Sequence, residues 1–384
     1  INKLLNVTLT TGASTTPDLV TTLVDTVKNL LSSASDALKS LTPSRDNVTI
    51  DANSAEAETG NSKYKVKLNG KIYYAGASDT PTDKWVVLLH GVLMNSQAMA
   101  DAVGQMYLDE GYNILAVDSR GHGDSKGSVA MGYLESLDVW DWLNFLHSEY
   151  PNKCNQIIIH GTSLGGATTV FTSRFDLKSK NVIGLIEDCG YTSLTGIITG
   201  MLGVKADTEE VTEEEATLIE KILSLPADAL ASIVGSPAAE SLIKTLLINV
   251  VNVGLTEENF DQHQDALVGI KEKCNVPILI IHGTTDTTVP YENSTMIYKE
   301  AMQNDKIPYV QRFSAEGQPH AFVMVGNKEK AYETHVKTFI ENAEKIDNGT
   351  YRGSKEFTVE EPTEEFSLIS SLLKALKLIK NMLF

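Results

Sequence analysis

The stretch Gln156-Ile157-Ile158-Ile159-His160-Gly161-Thr162-Ser163-Leu164-Gly165-Gly166 decides how the rest of the chain is read. Its opening run of apolar β-branched residues predicts a strand buried on both faces, since a half-exposed strand would alternate polar and apolar positions. A helical pattern then opens at Leu164, so Ser163 falls in a tight turn between strand and helix. Only small flanking residues let two backbones approach closely enough for such a turn. It lifts the serine hydroxyl above the sheet, where the helix start directs unpaired N–H groups and its positive dipole end. Ser163 is therefore a candidate nucleophile.

A serine hydroxyl attacks poorly without a base, and the base needs an orienting carboxylate. Both are expected downstream, each just after a strand. Pro277-Ile-Leu-Ile-Ile-His282-Gly-Thr-Thr-Asp286 places Asp286 in the loop leaving a buried strand. Some 34 residues further on, Gly317-Gln-Pro-His320 places His320 after the next strand and before the last long helical pattern. The other histidines fit less well: His147 and His335 lie within helical patterns, His263 in a polar stretch, and His160 and His282 at the ends of buried strands, where hydrogen-bonded core roles are expected.

Acyl chemistry also needs two backbone N–H donors for a developing oxyanion. Leu164, next to the nucleophile, supplies one. The other is expected from His90-Gly91-Val92-Leu93-Met94-Asn95, with Val92 the first choice and Leu93 the second. A third small-residue loop, Asp118-Ser-Arg120-Gly-His122-Gly-Asp124-Ser125, suits a tight turn that an Arg120–Asp124 ion pair could hold.

Outward from this centre the rhythm is α/β. Short apolar runs predict strands over Trp85–Leu89, Asn113–Asp118, Gln156–His160, Val182–Asp188, Pro277–His282 and Tyr309–Phe313. Helical periods predict Ser96–Asp109, Leu134–Tyr150, Leu164–Phe175, Tyr291–Gln303 and Glu329–Lys345. That alternation specifies a doubly wound, mostly parallel sheet. Ligands belong at the carboxyl ends of its strands, where Ser163, Asp286 and His320 all fall. Ahead of the core, Lys63–Leu68, Asn69-Gly70 and Lys71–Tyr74 read as a hairpin with a type I′ turn, opening the sheet as an antiparallel edge.

Five segments result: a helical appendage over 1–45, core over 46–191, an inserted helical subdomain over 192–271, core over 272–346, and a linker with a basic amphipathic helix over 347–384. The insertion is inferred because a structureless loop of about 80 residues is improbable in a packed domain. Both terminal helices are expected to cover apolar surface of the same molecule; a membrane surface or a second copy is the alternative.

With 32 Lys and Arg against 50 Asp and Glu among 384 residues, the net charge is −18. That balance argues against nucleic acid as a partner, since neutralising phosphates takes clustered Lys and Arg, and most of the surface would repel anionic lipid. No run of about 20 apolar residues offers a membrane span. Cys154, Cys189 and Cys274 form neither a disulfide framework nor a CxxC metal motif, and could bridge as one pair at most. The chain starts at Ile1, which leaves an extracytoplasmic protein with its leader removed and a cytoplasmic one both open.

Taken together, His90-Gly91, Arg120-Gly-His-Gly-Asp124-Ser, Gly161-x-Ser163-x-Gly165-Gly166, His282-Gly-x-x-Asp286-x-x-Val-Pro290 and His320 resemble the α/β-hydrolase fold superfamily, in its bacterial serine esterase and peptidase-like branch. The resemblance covers about Trp85–Lys345 apart from the insertion, and departs from the His-Gly-Gly-Gly esterases at the oxyanion loop. It implies a cap over the site, a Ser163–His320–Asp286 triad, an acyl-enzyme, and no cofactor or metal. The expected substrate is a small-molecule carboxylic ester, with a short apolar acyl or aryl ester favoured by the apolar insertion. An amide or peptide hydrolase with the same triad is the alternative.

Overall fold

The computed structural model describes residues 45–78, 80–92, 94–193, 265–325 and 328–355. The expected N-terminal helix, most of the expected cap and the basic C-terminal helix lie outside these residues, as do His263 and Leu93.

The elements run in order β1 (Arg45–Ala52), α1 (Ser54–Thr59), β2 (Val66–Tyr73), β3 (Lys84–Leu89), α2 (Ser96–Asp109), β4 (Asn113–Val117), α3 (Tyr133–Glu149), β5 (Gln156–Thr162), α4 (Leu164–Thr172), β6 (Val182–Asp188), α5 (Leu267–Glu272), β7 (Ile278–Gly283), α6 (Glu292–Gln303), β8 (Val310–Ala315) and α7 (Glu329–Asp347). Eight strands form one sheet in the order β1-β2-β4-β3-β5-β6-β7-β8. The first two are antiparallel to their neighbours. All later pairings are parallel, joined by crossovers.

The all-apolar runs are buried on both faces for the reason their composition suggests. Trp85, Val87 and Leu89 join Ile157, Ile159, Leu185, Ile278 and Ile280 in one large core with residues of α3, α4, α5 and α6. The opposite face carries α2 and α7, which His160 of β5 ties together: Tyr107 Oη of α2 lies 2.8 Å from its Nδ1 and Tyr332 Oη of α7 2.9 Å from its Nε2. Burial lowers the pKa of this ring to about 3, so it serves as a neutral core bridge. Each fully buried Ile contributes about 1.5–3 kcal/mol relative to exposure.

One local expectation is overturned. Asn69-Gly70 is no hairpin turn; it lies inside β2, where Gly70 pairs with Val48 of β1 and Val117 of β4. The true partner strand is β1, and the glycine serves close packing. A Cβ at Gly70 would stand 3.1 Å from the Ala116 carbonyl oxygen and 3.3 Å from Trp142 Cη2. Asn69 in turn receives the loop after β4: its side-chain amide donates to Asp124 O at 2.7 Å, and its carbonyl accepts from Asp118 N–H at 2.9 Å.

The described residues on either side of positions 194–264 return to one place. Ser193 and Asp265 form an antiparallel bridge, and Ala266 N–H donates to Thr192 O at 2.8 Å. Cys154, Cys189 and Cys274 are all free and buried. Among the described residues no helix is long and apolar enough to cross a membrane.

Candidate active site

Ser163 has φ 57° and ψ −115°, a conformation that non-glycine residues rarely hold. Its surroundings impose it. Ser163 N–H donates to Asp188 O at 2.8 Å, and Ser163 O accepts from Ala167 N–H at 2.9 Å. A Cβ on Gly161 would collide with the Gly165 carbonyl, and one on Gly165 with the Leu89 carbonyl. The two glycines therefore let β5, α4 and β3 meet at van der Waals contact around the serine.

Asp286 and His320 come from the loops after β7 and β8. These loops are tied to each other: Thr285 N–H donates to Gln318 O at 3.2 Å and Gly317 N–H to Thr284 Oγ1 at 2.9 Å. With both frames fixed, His320 Nδ1 lies 2.7 Å from Asp286 Oδ2, and His320 Nε2 lies 2.8 Å from Ser163 Oγ. The three predicted side chains thus meet in one unbroken hydrogen-bond line, across 157 residues of sequence between serine and histidine.

The Asp286 carboxylate is fully engaged. Oδ1 accepts from the N–H groups of Thr288 and Val289, each at 2.9 Å. Oδ2, besides His320, is 3.3 Å from Nε2 of His282. Burial alone would raise its pKa, but the hydrogen bonds from His282 and His320 outweigh that and hold it at about 2. His282 does more than the core role its position suggests, and only its i, i+4 spacing to Asp286 could have signalled the contact. Its Nε2 also faces Val289 O at 2.8 Å; a carbonyl only accepts, so Nε2 carries the proton.

Buried acids lie beneath this line. Burial pushes the Glu187 carboxyl up to about 8 and that of Asp188 up to about 6. Glu187 accepts a short hydrogen bond from Gly190 N–H through Oε1.

Leu164 opens α4 and is buried beside Ser163. Across from it, a Cβ on Gly91 would stand 3.3 Å from Ser163 Cβ, so the loop carrying Val92 runs against the serine. The Arg120–Asp124 pair expected for the loop after β4 is replaced by another. Arg120 turns inward and binds Asp138 of α3 with two bonds, Nε to Oδ2 at 2.7 Å and Nη2 to Oδ1 at 2.6 Å. Burial favours that choice, because at 1% exposure the guanidinium needs a partner that is also removed from water.

Among the described residues, Cys189, Asp286 and His320 offer ligand atoms within 4.8 Å of one another. The donor set suits a metal ion poorly. Burial and the neighbouring carboxylates push the Cys189 thiol well above its usual range, away from the thiolate a metal binds, and an ion at Nδ1 of His320 would displace its bond to Asp286.

A family model described as serine aminopeptidase, S33, matches residues 80–186. The chain is 31% identical over 125 residues to a multifunctional-autoprocessing repeats-in-toxin of Vibrio cholerae, a match covering 32% of the chain and only 3% of that protein's length. It is 25% identical over 285 residues to the uncharacterized protein YqkD of Bacillus subtilis, covering 73% of the chain and 77% of the relative. Among solved structures, the Pyrococcus furiosus esterase Pf2001 superposes with a TM-score of 0.55 at 22% identity, covering 79% of this chain and 94% of that one. The α/β hydrolase GrgF from Penicillium superposes with a TM-score of 0.51 at 15% identity, over 78% and 98% of the two chains. With its eight-stranded, mostly parallel sheet, its flanking helices and these structural likenesses, the chain has the α/β-hydrolase fold.

Proposed function

We propose that the chain is a serine hydrolase that cleaves carboxylic esters through Ser163, His320 and Asp286. The observation carrying this reading is the continuous relay from Ser163 Oγ through the His320 ring to an Asp286 carboxylate held at about 2. As Ser163 Oγ bonds to the acyl carbon, its proton passes to His320 Nε2, and the carbonyl oxygen becomes an oxyanion facing the N–H groups of Val92 and Leu164. Collapse breaks the bond to the leaving oxygen, which takes the proton from His320. Water then enters, gives a proton to His320 and attacks the acyl-enzyme; the acid is released and Ser163 recovers its proton. Asp286 stays ionised throughout and fixes the imidazole.

The preferred substrates are small esters with short apolar acyl or aryl groups, admitted beneath an inserted cap. Two observations support that reading: the excursion between Ser193 and Asp265 starts and ends beside the sheet, and its sequence is rich in Leu, Ile and Val. That the Pyrococcus match is an esterase agrees with ester cleavage. The family model's description as a serine aminopeptidase favours a second reading, amide hydrolysis by the same relay.

The test is fluorophosphonate labelling followed by a panel of p-nitrophenyl esters and aminoacyl anilides. Ser163→Ala should lose labelling and lower kcat by at least about 10⁴-fold with the fold intact. Retained hydrolysis would remove the assignment, and a higher kcat/KM on anilides than on any ester would make the amide reading the correct one.

A further inference from the structure

The loop Asp118–Ser125 contributes nothing to the proton relay, yet it grips the loop that carries Val92. Two imidazoles meet between them, His90 and His122, edge to face with centroids 5.0 Å apart. Ser119 N–H points at His90 Nε2 from 3.0 Å, and a backbone N–H can only donate. His90 Nε2 is therefore the bare nitrogen, and Nδ1 carries the proton it gives to Gly91 O at 2.7 Å. Burial, aided by the neighbouring His122 ring, lowers the His90 pKa to about 4, which agrees with a neutral ring. Gly91 O also accepts from Met94 N–H at 2.9 Å. That carbonyl shares one peptide plane with the Val92 N–H, which in a trans peptide points the opposite way.

His122 holds the next carbonyl. Its Nε2 lies 2.6 Å from Val92 O, again an acceptor only, so this nitrogen is the donor. Its Nδ1 lies 3.2 Å from Arg120 O, on the residue whose guanidinium is clamped to Asp138. The Asp118 carboxylate fastens both loops at their roots, accepting from Ser96 N–H at 2.8 Å and Asp124 N–H at 3.1 Å. Consecutive carbonyls at Gly91 and Val92 are thus tied by imidazoles, one on each side of the Val92 Cα: His90 holds the peptide plane that carries the Val92 N–H, and His122 holds the next plane, so that rotation at the Val92 Cα is opposed from both sides.

Building on the serine-hydrolase reading, we propose that His122 is a positioning residue of the reaction, holding the Val92 carbonyl so that the Val92 N–H meets the developing oxyanion. Gly91, Val92, Met94 and Asn95 belong to neither strand nor helix, so no regular ladder aims their N–H groups. A donor pre-aligned in a water-poor site costs nothing to reorganise during reaction, and small misplacements cost much of its effect.

The test compares wild type with His122→Ala and His122→Gln in the full chain, the latter restoring a side-chain N–H. Readouts are kcat and KM for p-nitrophenyl butyrate, the labelling rate of Ser163 by a fluorophosphonate, inhibition by a trifluoromethyl ketone that forms an oxyanion on Ser163, and the melting temperature. His122→Ala should lower kcat by about 10- to 100-fold, weaken the ketone in the same proportion, and leave KM within about threefold. His122→Gln should recover most of this loss. The inference is overturned by a kcat for His122→Ala within about twofold of wild type, or by a loss that tracks the melting temperature and is not restored by His122→Gln. A wild-type chain that neither hydrolyses the ester nor labels at Ser163 would overturn the serine-hydrolase reading, and this inference with it. A labelled wild type with an unchanged His122→Ala rate would overturn the inference alone.

Discussion

His282 Nε2 stands 3.3 Å from Asp286 Oδ2, the same oxygen that accepts a hydrogen bond from His320 Nδ1 at 2.7 Å. The acid therefore faces two imidazoles, one on the relay and one behind it. The second explains how a nearly buried carboxylate keeps a pKa of about 2 against the cost of desolvation.

Replacing Asp286 by Asn should lower kcat by about 10³- to 10⁴-fold, because a neutral amide can neither fix the His320 tautomer nor stabilise its cation. Stability changes with a definite sign. The folded-state pKa lies below the ordinary 3.8, so ionised Asp286 stabilises the fold fully above about pH 4, and the contribution fades as pH falls through about 2. Urea titrations of wild type and Asp286→Asn should differ by on the order of 2 kcal/mol near pH 6 and converge toward pH 2.

Glu187 titrates in the opposite sense. Its carboxyl moves from 4.5 to about 8 on folding, so the native state holds a proton that the unfolded chain releases. That contribution is full below about pH 4.5 and is lost as pH rises through about 8, with a slope of up to about 1.4 kcal/mol per pH unit. Glu187→Gln keeps the acceptor for Gly190 N–H and removes the titration. Its unfolding free energy should lose this slope between pH 5 and 8, as measured by denaturant titration across that range.

The glycines at the elbow differ sharply from glycines in open turns. Gly165→Ala drives a methyl into the Leu89 carbonyl, and Gly161→Ala into that of Gly165, so neither variant should yield a folded, labelled protein. Gly111 has φ 79° and nothing within 4 Å of a built Cβ. Gly111→Ala should cost only about 1–2 kcal/mol, from backbone strain alone, with activity retained; thermal melts and labelling separate the two classes.

Arg120→Ala leaves Asp138 as a buried acid without its partner and should cost about 3–5 kcal/mol. The paired replacement Arg120→Met with Asp138→Leu should recover most of that loss, because desolvation offsets much of what the ion pair contributes. Chemical denaturation of the two variants decides the point.

Local pattern determined a great deal. The runs at Trp85–Leu89 and Pro277–His282 are apolar because their strands have no solvent face, so composition alone announced a buried parallel sheet. The Gly161-Thr162-Ser163-Leu164-Gly165 turn could be read because the steric demand at Gly161 comes from Gly165, four residues on, although that at Gly165 comes from Leu89 of the neighbouring strand. Ser163, Asp286 and His320 were each nameable from their places after strands, and their meeting follows from one strand order.

Local pattern misled where a residue's reason lay across the sheet. Asn69-Gly70 carries a strong turn signal, but its glycine is required by Ala116 and Trp142 and its asparagine by Asp124, all distant in sequence. Arg120 passed over Asp124 for Asp138, since burial selects the partner that is also desolvated. The sequence by itself thus determined the sheet, the elbow and which three side chains form the Ser163–His320–Asp286 hydrogen-bond line. Only the tertiary structure decided that His282 supports Asp286 and that His122 reaches Val92, because hydrogen bonds between loops depend on how close the fold brings them, which no spacing along the chain records.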